Sequence, residues 1–371
     1  MPHEASSGII QPSNAMESNM KYKLLGRSGL RVSELCLGTM TFGDDWGWGA
    51  GKEECQAVFD AFVSAGGNFI DTANLYTNGS SERIVGELIA HDRDRFVLAT
   101  KFSLQDRAGA PENAGNPNAA GNHRKNLRRS VEGSLKRLGT DYIDLLWLHV
   151  WDFTTPVDEV MQSLDDLVRA GKVNYVGISD TPAWIVSQAN TLAELRGWTP
   201  FVALQIEYSL IERTPERDLI PMANALGLSV TPWSPLGQGV LTGKYNGSAG
   251  PEGARLDVTE VRVGEGVLTE RNLTIARAVV NVAAQIGKTP SQVALAWLLA
   301  QGPSVIPIVG TRKAHQIADN LASVDVTLSG EHLATLDAAS KIERGFPHDM
   351  LDMPMVRSFV TAGNDDAIVK R

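Results

Sequence analysis

Short apolar runs rich in β-forming residues recur along this chain, and helical patterns separate most of them. The runs are continuously apolar rather than alternating, as expected for strands of a parallel sheet that is covered on both faces. Strands that alternate with helices build α/β folds, and eight such strands predict a (β/α)8 TIM barrel. The predicted strands cover residues 34–40, 68–73, 96–101, 143–149, 175–180, 203–209, 228–234 and 304–310.

The segments between these runs include four clear helical patterns. Several of them end in Gly, which suits the left-handed residue after a helix, and one begins with Pro. The main alternative fold is a doubly wound sheet, which normally carries a G-x-G-x-x-G turn after its first strand. This chain has LGTMTFGDDWG there, so the barrel is favoured. The predicted helices cover residues 52–66, 80–92, 124–139 and 156–172.

Residues 21–345 are predicted to form a single barrel domain. Residues 1–20 lack the basic start and long apolar run of a signal peptide, so we expect a disordered leader. The stretch YKLLGRSGLRVSEL (22–35) predicts an N-terminal hairpin, and residues 244–271 predict a long loop over one end of the barrel. Residues 346–371 are predicted to form a tail over the barrel, with additional C-terminal helical segments.

The composition excludes several classes of protein. The net charge of −9 argues against a nucleic-acid-binding surface, which needs clustered Lys and Arg. No run of 18 apolar residues occurs, so no segment is predicted to span a membrane. The two cysteines, Cys36 and Cys55, are expected to be small buried hydrophobic residues in a reducing, cytoplasmic setting. A small molecule is the expected partner, and the sequence is compatible with self-association.

Polar residues end many of the predicted strands, where TIM-barrel enzymes carry their chemistry. Asp71 alone could be a helix cap or an ion-pair partner, and His149 alone could be a satisfied core histidine. Lys101 needs a partner because an ammonium that ends a buried strand is costly to leave unpaired, and Asp71 is the obvious one. Together the set predicts a catalytic site: Asp71, Lys101, His149, Ser179, Asp180, Gln205, Trp233, Ser234, Gly310, Thr311 and Arg312.

Tyr76 follows the strand that ends at Asp71. A free phenol has a pKa of about 10, and a nearby ammonium lowers that value. We therefore interpret Asp71, Lys101 and Tyr76 as a relay in which Tyr76 is a general acid that protonates a developing alkoxide. His149 would donate a hydrogen bond to the same oxygen. This chemistry suits carbonyl reduction, and because no side chain supplies hydride, a nicotinamide cofactor is implied.

Seven segments of the chain resemble the aldo-keto reductase superfamily in order and spacing, from about residue 21 to about residue 336. The closest branch by this resemblance is the bacterial, aryl-alcohol-dehydrogenase-like one, which is related to potassium-channel β subunits. The segments are FIDTANLYTNGSSERIVGELI, TKF, DLLWLH, VGISD, LQIEYSLIER, WSPLGQGVLTGKY and VIPIVGTRKAHQIADN.

The resemblance implies a catalytic tetrad of Asp71, Tyr76, Lys101 and His149. It also implies that the cofactor is held without a Rossmann unit, by the nicotinamide contacts Ser179, Asp180, Gln205 and Trp233, the pyrophosphate contacts Ser234, Leu236, Gly237, Gln238, Gly239, Leu241 and Lys244, and the adenosine contacts Gly310, Arg312, Gln316, Asp319 and Asn320.

Two of these positions bear on the cofactor. Arg312 suits a ribose 2′-phosphate because a guanidinium pairs with phosphate in a bidentate manner, so NADPH is favoured over NADH. The alternative explanation of Arg312 and Lys313 is a solvated helix start. Position 180 is Asp where relatives often have Asn or Arg, and an ionised carboxylate cannot donate to a carboxamide oxygen.

Four aromatic residues are predicted to line the substrate pocket: Trp46, Trp48, Trp151 and Phe153. They suggest an aromatic or bulky aldehyde or ketone, although loop aromatics also pack simply against a barrel. A metal-dependent hydrolase is disfavoured because only His149 of the seven histidines ends a strand, and no metal site is predicted. An NADPH-binding redox sensor or regulatory subunit with only vestigial turnover is the alternative to an enzyme.

Overall fold

A computed structural model describes residues 19–106, 115–247 and 266–368. The predicted hairpin is present as the antiparallel strands β1 (Tyr22–Leu24) and β2 (Arg31–Ser33). Eight parallel strands follow, and each overlaps one of the predicted apolar runs, so the predicted fold class is confirmed. They are β3 (Cys36–Gly38), β4 (Phe69–Asp71), β5 (Val97–Phe102), β6 (Ile143–Leu148), β7 (Val173–Ser179), β8 (Phe201–Glu207), β9 (Ser229–Trp233) and β10 (Ile308–Val309).

The eight strands form one sheet in the order β10-β3-β4-β5-β6-β7-β8-β9. Val305, just before β10, forms a parallel bridge with Val230 of β9, and this contact nearly closes the sheet into a barrel. The last strand is shorter than the predicted run 304–310. Pro307 has no N–H to donate to a ladder, so regular pairing starts only after it.

The four predicted helices are present as α1 to α4, with ends within a few residues of those expected. Helix α3, for example, ends at Leu138, and Gly139 follows in the left-handed conformation with φ 64°. The helices are α1 (Lys52–Ser64), α2 (Ser80–Ile89), α3 (Arg124–Leu138), α4 (Val157–Arg169), α5 (Ala183–Arg196), α6 (Leu219–Leu226), α7 (Glu270–Ile286), α8 (Pro290–Ala300), α9 (Ala314–Leu321), α10 (Gly330–Ser340), α11 (His348–Leu351) and α12 (Pro354–Val360).

The N-terminal hairpin packs against the amino ends of the strands. Leu25 and Val32 of this region belong to the same buried cluster as Trp147 inside the barrel. Gly26 donates its N–H to Ser229 Oγ at 2.7 Å, and a Cβ at this glycine would lie 2.0 Å from the Val202 carbonyl oxygen. The hairpin therefore covers one end of the barrel and leaves the carboxyl ends of the strands for chemistry.

The predicted C-terminal helical segments are α11 and α12, and most of their side chains are exposed. The Arg217 side chain donates to the Glu343 carbonyl at 2.6 Å, which ties the chain before α11 to the segment before α6. The predicted leader lies outside the described residues except for its last two positions. The predicted loop 244–271 also lies largely outside them, and its final residues already belong to α7.

Candidate active site

The four residues of the predicted tetrad lie at the carboxyl ends of adjacent strands. Asp71 is the last residue of β4, Lys101 lies near the end of β5, and His149 directly follows β6. Tyr76 begins a short 3-10 helix, Tyr76–Gly79, between β4 and α2. The parallel register aligns these ends at one rim, so the barrel brings all four side chains to one place.

Asp71 and Lys101 form a buried ion pair. The Lys101 side chain is fully buried, and its Nζ donates both to the Asp71 carboxylate and to the Thr72 carbonyl, the latter at 3.0 Å. Burial acts most strongly on the pKa of Lys101 and lowers it, but Asp71 and Tyr76 together outweigh burial and raise the pKa above its usual value. The ammonium therefore stays charged near neutral pH.

Tyr76 lies beside this ion pair. Lys101 Nζ is 4.9 Å from the centre of the Tyr76 ring, which is partly open to solvent. Desolvation is nevertheless the largest influence on the pKa of Tyr76 and raises it above the usual value, although Lys101 works in the opposite direction. The predicted lowering of this pKa is thus wrong in its net sign. The phenol keeps its proton near neutral pH, which is the form that a general acid needs.

His149 faces the same phenol. Its ring centroid is 6.0 Å from that of Tyr76, and the two rings are nearly perpendicular. Burial and, second, the charge of Lys101 hold the pKa of His149 well below its usual value, so the imidazole is neutral. Its Nδ1 is buried and has no hydrogen-bond partner among the described residues. A neutral imidazole can donate one N–H to a substrate oxygen.

The backbone after Tyr76 is strained and anchored. Thr77, Asn78 and Gly79 have φ values of 45°, 53° and 85°, three left-handed residues in a row. The Thr77 hydroxyl donates to the Phe42 carbonyl at 2.6 Å and accepts from the Ser81 N–H at 3.0 Å. Sequence reasoning missed this anchor, although the NGSS stretch signals a turn. Strain of this kind persists where the surroundings fix a functional side chain.

The predicted nicotinamide contacts lie along the neighbouring strand ends. Ser179 is paired in register with Gln205, and Trp233 is the last residue of β9. The buried Ser179 hydroxyl interacts with the neighbouring Asp180 carboxylate and lowers its pKa, and the hydroxyl oxygen can still accept a hydrogen bond from a ligand. Gln205 Nε2 donates to Asp71 Oδ1 at 3.0 Å, a contact that sequence reasoning missed.

The Asp180 side chain contacts another predicted residue of the site, the indole of Trp233. Its Oδ1 accepts a hydrogen bond from Trp233 Nε1 at 3.1 Å, and its backbone is left-handed with φ 39°. Asp180 keeps some exposed surface, yet desolvation by its neighbours raises its pKa to about 6, although hydrogen bonds from Trp233 and Ser179 work against this shift. The carboxylate therefore orients the indole ring at the end of β9.

The predicted pyrophosphate loop follows Trp233 and turns sharply. Gly237, Gln238 and Gly239 all have positive φ, and the Gly237 N–H bonds the Ser234 carbonyl at 2.8 Å. A Cβ on Gly239 would lie 2.8 Å from Lys244 Nζ, so the ammonium passes directly over this glycine. Successive turn conformations of this type form concave anion sites. Leu236 packs against the core, and Leu241 is buried within it.

Some residues of the predicted adenosine segment already bond other parts of the protein. Arg312 NH1 donates to the Trp48 carbonyl at 3.2 Å, and Gln316 is exposed. Asp319 accepts from Thr289 Oγ1 at 3.0 Å and from Gln292 Nε2 at 2.8 Å, at the start of α8. The structure thus uses Asp319 to hold two helices together. Gly310 is exposed and Asn320 is buried.

One of the four predicted pocket aromatics, Trp46, lies beside Tyr76, and a second, Trp48, packs on Trp46. The ring centroids of Trp46 and Trp48 are 5.7 Å apart, and those of Trp46 and Tyr76 are 6.4 Å apart. Trp151 instead packs within the main hydrophobic core, and Phe153 is 69% exposed. Of the ring pairs that the structure forms around the phenol, one joins Trp46 to Tyr76 and one joins Trp48 to Trp46, and neither involves Trp151 or Phe153.

A nicotinamide dinucleotide fits these residues. Ser179 and Trp233 end β7 and β9, on either side of Gln205 in β8, and the glycine-rich turn beneath Lys244 follows Trp233 directly. Within residues 19–106, 115–247 and 266–368, no helix is long and apolar enough to cross a bilayer. The same residues contain no group of three or more His, Cys, Asp or Glu side chains placed to hold a metal ion.

Glu207 makes the stability of the protein depend on pH. Burial, with repulsion from Glu212 and Asp180, raises its pKa from 4.5 to about 7. A raised carboxyl pKa means that stability is lost as pH rises from about 4.5 to about 7. We expect Glu207→Gln to increase the free energy of unfolding at pH 8 by roughly 1–2 kcal/mol, a value lowered to allow for the partial exposure of the side chain. At pH 4 the substitution should leave the free energy of unfolding nearly unchanged. Urea unfolding at the two pH values measures this; equal effects at both would contradict it.

Comparison with known proteins gives a consistent result. The sequence profile described as "Aldo/keto reductase family" matches residues 34–341. Norsolorinic acid reductase from Aspergillus flavus is 39% identical over 345 residues, which cover 91% of this chain and 85% of that protein. Norsolorinic acid reductase stcV from Emericella nidulans is 42% identical over 325 residues, covering 86% and 81%. The NADP(+) aryl-alcohol dehydrogenase from Phanerodontia chrysosporium is 40% identical over 339 residues, covering 86% of each chain.

Proposed function

Because the chain belongs to the aldo/keto reductase family and is an oxidoreductase, we propose that it interconverts an aromatic or bulky aldehyde or ketone and its alcohol, with NADPH as cofactor. The observation that carries this proposal is the convergence of Asp71, Tyr76, Lys101 and His149 at one rim. Carbonyl reductase or alcohol dehydrogenase activity follows from the family and its relatives. The cofactor, the acid and the substrate class are proposals.

Each catalytic group has a separate role in the reaction. Bound NADPH supplies the hydride. Tyr76 holds its proton until negative charge develops on the substrate oxygen and then transfers it, and His149 donates a hydrogen bond to the same oxygen. The Lys101 ammonium, fixed by Asp71, stabilises the phenolate that remains. The same groups in reverse oxidise an alcohol, with Tyr76 as the base.

For the cofactor, we propose that Ser179 and Gln205 hold the carboxamide and that Trp233, oriented by Asp180, stacks on the nicotinamide ring. Gln205 would use its amide oxygen, since its N–H already serves Asp71. The turn from Ser234 to Lys244 would hold the pyrophosphate. NADH is a weaker alternative because Arg312 suits a 2′-phosphate.

The aromatic substrate class rests on the tryptophans beside Tyr76. Trp46 presents a large apolar face next to the phenol and Trp48 extends it, so a flat substrate placed there would be desolvated. One relative carries the name aryl-alcohol dehydrogenase, in agreement with this proposal. Phe153, exposed near the rim, would contact only a larger substrate, and Trp151 would support the site from the core.

Steady-state turnover tests this function. The protein is mixed with NADPH and a panel of aromatic and aliphatic aldehydes and ketones, and loss of nicotinamide absorbance is followed. Many turnovers with an aromatic preference support the proposal. A single slow turnover would favour a redox sensor or regulatory subunit, and no reaction with any carbonyl would overturn both the activity and the tyrosine's role.

Arg312→Ala is expected to weaken NADPH binding by roughly 10- to 100-fold, the value of about 1.5–3 kcal/mol for hydrogen bonds to a charged group. NADH binding should change little, because NADH lacks the phosphate. Fluorescence titration with both cofactors measures the two affinities. Equal losses for NADPH and NADH would contradict the assignment of Arg312 to the 2′-phosphate.

Several further expectations remain predictions. We propose a single barrel domain over residues 21–345, preceded by a leader and followed by a tail over the barrel. We also propose a cytoplasmic location, and self-association stays a prediction. The relatives named above are fungal, so membership of a bacterial branch and kinship with potassium-channel β subunits also remain untested.

A further inference from the structure

Two side-chain hydrogen bonds join the end of the last barrel strand to the first loop of the barrel. Thr41 Oγ1 donates to the Thr311 carbonyl at 2.9 Å, and Arg312 NH1 donates to the Trp48 carbonyl at 3.2 Å. Strand β10 pairs in parallel with β3, so the segments that leave these strands run side by side. The segment proposed to hold the adenosine end of the cofactor is thereby attached to the loop that carries the substrate aromatics.

The first loop, defined here as residues 41–50, has its own internal structure. Gly43 N–H bonds the Ala50 carbonyl at 3.0 Å, and Ala50 N–H bonds the Thr41 carbonyl at 2.8 Å. Within this loop Trp46 packs on Trp48, and outside it Trp46 contacts Tyr76. A shift of the Trp48 backbone would therefore move the aromatic wall beside the catalytic phenol.

The chemistry of arginine makes such a connection effective. A guanidinium has five N–H donors in a fixed plane, so it can pair with a phosphate and still donate to a carbonyl. Lys313, the neighbouring cation, behaves differently: it pairs with Glu54 of α1 at 3.2 Å, and both side chains are exposed. Arg312 is therefore the cation of this segment that bonds the first loop.

We propose that Arg312 couples the 2′-phosphate of the cofactor to the substrate pocket. A phosphate on the guanidinium fixes Arg312, and Arg312 in turn holds the Trp48 carbonyl and with it Trp46 beside Tyr76. The inference rests on the proposed function and extends it: the 2′-phosphate strengthens binding of an aromatic substrate as well as binding of the cofactor itself. By linkage, an aromatic ligand must strengthen 2′-phosphate binding by the same factor.

Hydrogen–deuterium exchange tests the coupling without catalysis. The probes are adenosine 2′,5′-bisphosphate and adenosine 5′-monophosphate, which differ in the 2′-phosphate and both lack nicotinamide. In the wild-type protein we expect the bisphosphate, at saturation, to slow exchange of residues 41–50 several-fold more than the monophosphate does. Arg312→Ala should abolish the difference, whereas Lys313→Ala should keep it. Failure of the bisphosphate to bind, or equal protection by both probes, would overturn the proposal.

Kinetics provide the second readout. For an aromatic aldehyde, the wild-type KM is expected to be at least about 5-fold lower with saturating NADPH than with saturating NADH. In Arg312→Ala the two values should be equal, and in Lys313→Ala the difference should persist. If the wild-type protein turned over the aldehyde with the same KM for aldehyde in the presence of either cofactor, the coupling would be overturned but the proposed function would not. Loop protection by the bisphosphate without turnover on any aldehyde or ketone would support the coupling and overturn the proposed function.

Discussion

Tyr76→Phe is expected to reduce the turnover number by about 10²- to 10⁴-fold, the usual contribution of a general acid. The substitution removes only the hydroxyl, so the ring can keep its contacts with Trp46 and His149. Without that hydroxyl, the developing alkoxide has the hydrogen bond of His149 but no positioned proton donor. NADPH affinity should change little, since the phenol does not belong to the proposed cofactor contacts.

The measurement is kcat with saturating NADPH and aldehyde, together with a titration of NADPH. Tyr142→Phe is a matched control, because it deletes a phenol that donates to Asp94 at 2.7 Å on the protein surface. The control should keep wild-type turnover. If Tyr76→Phe retained turnover within a few-fold of wild type, another group would have to supply the proton, and the assignment of Tyr76 would be withdrawn.

The barrel could be predicted from the sequence because its signals are local and repeated. Buried strands between helices leave continuous apolar runs, and all eight are where those runs indicate. Boundaries were harder to predict, as the run 304–310 shows: only Ile308–Val309 form a regular strand. Hydrophobicity does not report which N–H groups find a partner, and Pro307 interrupts the ladder inside an otherwise suitable run.

The sequence was sufficient to predict which residues come together in the site. Strand-end positions converge in any barrel, so Asp71, Lys101 and His149 follow from the topology together with the residue types. The choice of hydrogen-bond partners could not be predicted in the same way. Gln205 bonds Asp71, and Asp180 bonds Trp233, because of distances that exist only in the folded chain.

The net shift of the Tyr76 pKa also could not be predicted from the sequence. The attraction of Lys101 was predicted correctly, but its size relative to desolvation depends on how deeply the phenol is enclosed. Sequence gives the identity of the neighbouring charge and not the extent of burial. The corrected sign leaves Tyr76 protonated at neutral pH but makes it a weaker acid, so proton transfer depends on the Lys101 ammonium stabilising the phenolate as it forms.

Lys101→Met is expected to impair both stability and catalysis. The ammonium is fully buried, and its removal leaves the Asp71 carboxylate, itself 3% exposed, without its opposite charge. Breaking a buried pair from one side typically lowers the free energy of unfolding by about 3–5 kcal/mol. Turnover should fall by about 10²-fold or more, because the phenolate left after proton transfer loses the cation that stabilises it. Urea unfolding and kcat at pH 7 measure the two effects.

The double variant Asp71→Asn with Lys101→Met separates these two roles. An asparagine at position 71 is neutral and can still accept the hydrogen bond from Gln205, so most of the lost stability should return. Turnover should stay low, since neither charge is restored beside Tyr76. A stable but inactive double variant would show that the ion pair serves the phenol rather than the fold. Recovery of turnover together with stability would instead mean that Lys101 only neutralises Asp71, and the relay would be rejected.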